Sequence, residues 1–195
     1  MKRNSKNYNL VKKIALTGIF TALAIALSYI KIPLFSGVSI TLVLPVVVIG
    51  AALCGPWVGA WLTVIPNIIS FAEAGLFMVN SPFGCVLTLI LKGLLAGFAA
   101  GIIYKLLSKK HPLGAVVCSA VAAPIVNTGT FVLGCYIFIW DALVGVAGEK
   151  GIGIGLLLMG LAGFNFIFEL ILNLVLCPSI LTIIRVAKKR NITQK

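Results

Sequence analysis

Two ionisable residues lie in the middle of long apolar segments of this sequence. Lys92 falls within the apolar run 83–104, and Glu169 falls within the run 151–184. A charge held in the hydrocarbon of a bilayer costs about 2.5 kcal/mol or more unless it is paired or hydrated, so such residues usually mark a substrate or ion site. Lys92 and Glu169 are therefore the first candidates for function.

Polar amides accompany the carboxylate of Glu169 on its own segment. Asn165, Glu169 and Asn173 recur every four residues. Residues at this spacing stack on one face of a helix. The segment therefore offers amide and carboxylate groups along a single line.

The preceding apolar segment supplies a second polar group. Asn127 and Thr130 lie three residues apart, with Pro124 before them and Gly129 between them. Proline removes a backbone donor and leaves a carbonyl group without its helical partner. With Lys92, three predicted helices thus offer ammonium, amide, hydroxyl and carboxylate groups.

Two interpretations of these groups are open. Lys92 and Glu169 can form a structural ion pair while the asparagines hold helices together through hydrogen bonds. The same groups can instead line a ligand-binding pocket. We favour the pocket, because a simple ion pair does not need four further polar neighbours.

The composition indicates which elements position these residues. Hydrophobic residues make up 61% of the 195 residues and charged residues only 10%, and the mean hydropathy is +1.15. Such a chain is an integral membrane protein, since about 20 apolar residues span the hydrocarbon core. The sequence predicts an all-α, six-transmembrane-helix bundle in one membrane domain over residues 1–195, with a turn at Cys54-Gly55-Pro56. Its helices are expected at about 14–30, 40–53, 57–72, 83–107, 113–140 and 154–186.

The positive charges predict the orientation of this bundle. The net charge is +12, and most of the 16 Lys and Arg residues fall within 2–13, 105–110 and 185–195. All three segments share one side of a six-helix arrangement, so the positive-inside rule places both termini in the cytoplasm of a cell-membrane protein. The basic charge is thus a topology signal, and nucleic acid is not expected as a partner. Residues 28–31 form a poor cleavage site, so the first helix is expected to be retained.

Short connections on the opposite side carry further polar residues. They comprise residues 35–39, 73–82 and 141–153, which are rich in Gly, Ser, Asn and acidic side chains. Surface loops of this composition often carry binding residues. These connections can be plain solvated loops, or they can cover an outward-facing pocket, in which case we expect them to contribute Ser36 and Asn80 to ligand binding.

A stripe of small residues marks the first helix. Gly18, Ala22 and Ala26 recur every four residues. Such a stripe lets another helix approach closely in lipid. The approaching helix can belong to the same chain or to a partner protein.

Metal, cofactor and nucleotide chemistry find little support in the sequence. The five cysteines have no close pairs and indicate small core residues, and His111 is the only histidine. The sequence contains no G-x-x-x-x-G-K-[ST] phosphate loop. We therefore expect no metal, no cofactor and no enzymatic activity, and energy for transport has to come from partners or from an ion gradient.

Several segments together resemble a known family. The alanine-rich stretch 22–26, Leu53 to Ala60, Leu91 to Gly97 and Asn165 to Asn173 are similar to the substrate-binding S components of energy-coupling factor (ECF) vitamin transporters. The resemblance implies a vitamin pocket formed by helices four to six and the outer loops. It also implies that Gly18, Ala22 and Ala26 dock on a transmembrane coupling subunit, while two separate ATPase subunits drive the cycle.

The substrate stays open at this level. Family members that bind cobalt or nickel need nitrogen or sulfur ligands. The single histidine, on the predicted cytoplasmic side, does not supply them. Flavin-binding members carry an acidic motif near the second helix, whereas residues 39–45 here contain no acid. Lys92 suits a carboxylate-bearing vitamin such as pantothenate or a folate, and Glu169 suits an amine.

Two other classes of protein stay open. A small ion- or proton-coupled secondary transporter can use Glu169 as its proton site, although no inverted repeat is evident. An intramembrane protease needs a Ser-His, paired-carboxylate or metal constellation, which this sequence does not offer.

Overall fold

The computed structural model describes residues 2–30, 32–35, 38–40, 42–70 and 81–193. These residues form helices and one short antiparallel hairpin, β1 (Ile32–Phe35) and β2 (Val38–Ile40), in which Ile32 pairs with Ile40. The helices are α1 (Lys2–Tyr29), α2 (Val43–Cys54), α3 (Pro56–Ser70), α4 (Pro82–Leu107), α5 (Pro112–Phe138), α6 (Trp140–Lys150), α7 (Ile154–Leu158) and α8 (Phe164–Thr193). A π-helical turn, Met159–Gly163, joins α7 to α8 without a break.

The prediction of a helical membrane protein is confirmed. Among the described residues, four helical segments are long and apolar enough to cross a bilayer: Leu10–Tyr29, Pro82–Leu107, Pro112–Phe138 and Ile154–Ala187. The segments Val43–Cys54 and Pro56–Ile69 are also apolar but shorter. Large apolar side chains on the outer surface of the bundle, such as Ile14, Ile171 and Val175, are more than half exposed, as lipid-facing residues are.

The helix starts follow from local sequence. Pro56, Pro82 and Pro112 each stand at the first position of a helix, where the missing N–H has no intrahelical acceptor to lose. The turn predicted at residues 54–56 separates α2 from α3, and Gly55 adopts φ 103°, a backbone conformation that side-chain-bearing residues rarely take.

Helix α2 lies at the centre of the bundle. Nearly all of its residues are buried, and it contacts α1, α3, α4, α5 and α8. A helix that is apolar on every face is stable only when other helices surround it. The sequence 43–54 meets that condition, because it contains no charged residue.

Glycines allow α3 and α4 to touch backbone to backbone. A methyl group added at Gly97 would overlap the Gly59 backbone, and one added at Gly93 would overlap Asn67 and crowd the Thr63 backbone. The hydroxyl of Thr63 donates a hydrogen bond to the carbonyl oxygen of Gly93 over 2.6 Å. Small residues and interhelical hydrogen bonds hold helices together in lipid, so α3 and α4 form a tightly joined pair.

Several predicted boundaries differ from the structure. Helix α1 begins at Lys2 instead of 14, and α8 runs to Thr193 instead of 186. The second helix begins at Val43, because residues 38–40 pair with 32–35 in the hairpin. The fifth helix ends at Phe138, and most of the predicted loop 141–153 is the separate helix α6, whose apolar side is buried on the bundle.

Candidate functional site

Helices α4, α5 and α8 bring three of the predicted polar residues together inside the bundle. Helix α5 packs against both α4 and α8. Lys92 of α4 is close enough to Glu169 of α8 for their charges to interact, and Asn127 of α5 interacts with the Glu169 carboxylate. The site is therefore centred on Glu169.

The Glu169 carboxylate is buried and only partly satisfied. Its residue is 6% exposed. The side-chain amide of Asn165 donates to Oε1 over 3.4 Å, a long hydrogen bond. Within the described part of the chain, Oε2 has no hydrogen-bond partner. Buried polar atoms in folded proteins are nearly always hydrogen-bonded, so an unpartnered carboxylate oxygen is a feature that calls for a ligand, an ion or water.

The ammonium group of Lys92 lies against an aromatic ring. Its Nζ is 5.0 Å from the centre of the Phe131 ring, which is within the range of a cation–π interaction. Among the described residues, Lys92 and Glu169 form no direct ion pair.

Asn173 joins α8 to α5 through a backbone carbonyl group that Pro124 leaves without its helical donor. Its side-chain amide donates to the carbonyl oxygen of Ala120 over 3.1 Å. In a regular helix that carbonyl accepts from the residue four positions later, which here is Pro124 and has no N–H. Asn173 is fully buried, and its own Oδ1 has no partner within the described residues.

Two further polar residues of the bundle interior were not among the sequence candidates. Thr88 on α4 and Ser119 on α5 are fully buried, and neither hydroxyl has a hydrogen-bond partner in the part of the chain that the structure describes. Thr88 precedes Lys92 by one helical turn, and that spacing was the available signal. Ser119 carries no comparable signal, because it is surrounded in sequence by small apolar residues.

Helix α6 covers the end of the bundle at which α4 begins and α5 ends. This end is called the α6 end below. Leu143 and Val146 of α6 are buried against Cys85 of α4, Cys135 of α5 and Leu157 of α7. The hydroxyl of Ser81 donates to the carbonyl oxygen of Phe138 over 3.2 Å and ties the two helix ends together. The polar site thus lies below a packed apolar layer.

The remaining predicted binding residues are not placed at this centre. Thr130 is partly buried on α5, three residues after Asn127, and makes no side-chain hydrogen bond among the described residues. Ser36 and Asn80 lie outside the described residues.

The small-residue stripe of α1 faces outward. Gly18, Ala22 and Ala26 are exposed, whereas Ala24 and Ser28 form the side of α1 that is buried. Gly18 and Ala22 line an open groove of about 760 Å³ between α1 and Trp61 of α3. No helix in the described part of the chain fills that groove.

Taken together, a helical membrane bundle with buried polar groups on three adjacent helices defines a membrane-embedded binding or transport protein. The family described as the substrate-specific component of ECF transporters matches residues 12–181. The chain belongs to this family, and the family resemblance found in the sequence is confirmed. ECF substrate-specific components are membrane transport proteins that bind a small molecule and work with a coupling subunit and ATPases; they are not enzymes. Comparison with curated proteins and comparison with solved structures gave no match.

Proposed function

We propose that this chain binds a water-soluble vitamin or a related small molecule with high affinity, for ATP-driven uptake through a separate coupling subunit and two ATPase subunits. The observation that carries the proposal is the buried, partly unsatisfied Glu169 carboxylate, which Lys92 and Asn127 approach from two other helices. Asn165 and Asn173 extend the same polar face of α8. Thr130, Ser36 and Asn80 complete the proposed binding set.

The proposed topology has six transmembrane helices and both termini in the cytoplasm. Helix α2 has 12 residues, and at 1.5 Å per residue it is about 18 Å long, shorter than the hydrocarbon core of about 30 Å. Basic residues 105–110 connect α4 to α5, so the positive-inside rule places the α6 end on the extracellular side, where substrate enters.

The proposed contact with the coupling subunit is the outward-facing stripe of α1. Gly18, Ala22 and Ala26 leave the backbone of α1 accessible, and the side chains of a partner helix can enter the groove beside Trp61. Close approach of backbones in lipid depends on such small residues. The stripe lies on a different helix from the polar site, so docking and substrate binding are separable.

Two measurements test the proposal. The purified protein, titrated by calorimetry or fluorescence with a panel of water-soluble vitamins, should bind one of them at micromolar concentration or below. Affinity purification from membranes should recover a coupling subunit together with ATPase subunits. Proton-dependent flux by the protein alone in liposomes, with no vitamin bound, would instead identify a secondary transporter that uses Glu169.

A further inference from the structure

The polar atoms that α8 leaves without partners are all hydrogen-bond acceptors. They are Oδ1 of Asn165, Oε2 of Glu169 and Oδ1 of Asn173, each buried and unpartnered among the described residues. The three residues lie one turn apart on the same helix face. Asn173, at one end of the row, bonds to α5, and Glu169, in the middle of the row, interacts with Lys92 of α4 and Asn127 of α5.

The identity of the two amide oxygens follows from what the amide nitrogens contact. Nδ2 of Asn173 lies 3.1 Å from a backbone carbonyl oxygen, and Nδ2 of Asn165 lies 3.4 Å from a carboxylate oxygen. Both of those partners only accept hydrogen bonds, so exchanging N and O in either amide would place two acceptors against each other. The amide oxygens are therefore the atoms left over.

The donors that lie near Glu169 belong to α4 and α5. The amide of Asn127 interacts with Glu169, and the ammonium of Lys92 lies over the Phe131 ring. A ligand carboxylate would add two more acceptors and a second negative charge beside Glu169. A ligand nitrogen with N–H groups would instead satisfy the oxygens that have no partner.

We propose that the site recognises its substrate through N–H donors, so that the substrate carries an amine or an amino-substituted nitrogen ring at the end that contacts α8. This inference rests on the proposed function and selects between the two substrate chemistries that the sequence left open. Neighbouring acceptors in the row are one helical turn apart, about 6 Å. A single small ring with donors on two sides reaches two of them at once.

Glu169 is the main determinant of this preference. Hydrogen bonds to an ionised group are stronger than those between neutral groups, so a ligand N–H that binds Oε2 of the ionised carboxylate contributes most. Sites that are built to hydrogen-bond one group discriminate strongly against analogues that lack it, because the buried protein atoms are then left unpaired.

The test uses probes that share one ring and differ in one substituent. Pyridoxamine, pyridoxine and 4-pyridoxate present an amine, a hydroxyl and a carboxylate on the same pyridine ring. Titration of the wild-type protein at pH 7 should show pyridoxamine binding at least about tenfold more tightly than 4-pyridoxate.

Variants locate the preference at Glu169. Glu169→Gln should weaken binding of the amino-bearing probe by about tenfold to a hundredfold. Glu149→Gln, the same change at an exposed position of α6, should leave binding unaltered. The comparison between probes on the wild-type protein stands even if Glu169→Gln fails to fold.

Two outcomes overturn the inference in distinguishable ways. Tighter binding of the carboxylate probe, lost in Lys92→Gln, would show that recognition runs through the ammonium group and would leave the proposed vitamin-binding function intact. Failure of every probe and of the wider vitamin panel to bind would contradict the proposed function and this inference together.

Discussion

Asn173 on α8 provides the hydrogen bond that Pro124 on α5 cannot. The carbonyl of Ala120 lacks its usual helical donor because residue 124 is proline, and the Asn173 amide donates to it over 3.1 Å. The two residues are thus coupled through a shared acceptor, although they lie on different helices. This bond also fixes the direction in which the Asn173 oxygen points.

A double-mutant cycle tests this coupling. Asn173→Leu should destabilise the protein by about 0.5 to 1.5 kcal/mol, since it leaves a buried carbonyl unpaired. In a Pro124→Ala background the cost should be smaller, because the introduced alanine supplies the missing N–H. Thermal unfolding in detergent measures both costs. Equal costs in the two backgrounds would show that Asn173 stabilises the bundle independently of the proline.

Vitamin binding should depend on the amides that flank Glu169. Asn165→Leu removes the donor to Oε1 and an acceptor of the polar face. The variant should bind the vitamin about fivefold to a hundredfold more weakly, because a buried polar group that loses its partner costs about 1 to 3 kcal/mol. Calorimetric titration measures the change. Asn7→Leu, at an exposed position near the start of α1, is the matched control and should bind normally.

The contact between α3 and α4 should tolerate no added methyl group at Gly97. A Cβ there would overlap the Gly59 backbone and the Thr63 hydroxyl. Gly97→Ala should therefore lower the stability by about 1 to 3 kcal/mol or more. Gly129→Ala on α5 has open space around the new methyl group and should change the stability by less than about 1 kcal/mol. Comparable unfolding temperatures for the two variants would mean that α3 and α4 separate easily.

The features that the sequence predicted well are those that depend on local spacing and composition. The four-residue recurrence of Asn165, Glu169 and Asn173 placed them on one helix face, and the glycine and proline at 55–56 marked the turn between α2 and α3. Apolar runs of sufficient length indicated the membrane helices. Each of these features can be recognised within one continuous stretch of the sequence.

The features that the sequence did not predict depend on distant contacts. The hydrogen bond from Asn173 to Ala120 joins residues 53 positions apart, and only the packing of α5 on α8 selects that carbonyl. The sequence predicts a loop in place of α6, because glycines interrupt the segment and acidic residues stand at both of its ends. The helical spacing of its buried residues, Ala142, Leu143, Val146 and Ala147, gains meaning only when the bundle end beneath it is known.

Bulk added to the α1 stripe should separate docking from binding. Ala22→Trp should abolish ATP-driven uptake while the isolated protein still binds its vitamin, because Ala22 lies in the outward groove and on a different helix from the polar site. Uptake in cells and titration of the purified protein are the two measurements. Ile19→Trp adds a large side chain at an exposed position of α1 that does not line the groove, and it should preserve uptake. Loss of vitamin binding in Ala22→Trp would point to a role of the stripe within this chain.

The groove beside α1 also makes the membrane itself a competitor for the proposed docking site. A bilayer leaves no empty space next to a protein, so acyl chains occupy the volume between α1 and Trp61 whenever no other helix does. A coupling subunit that docks there replaces the lipid contacts with protein contacts, and the apolar surface stays out of water in both states. We therefore expect the strength of coupling to vary with the length and packing of the surrounding acyl chains, so that a change in lipid composition alters the transporter's assembly without any change in its sequence.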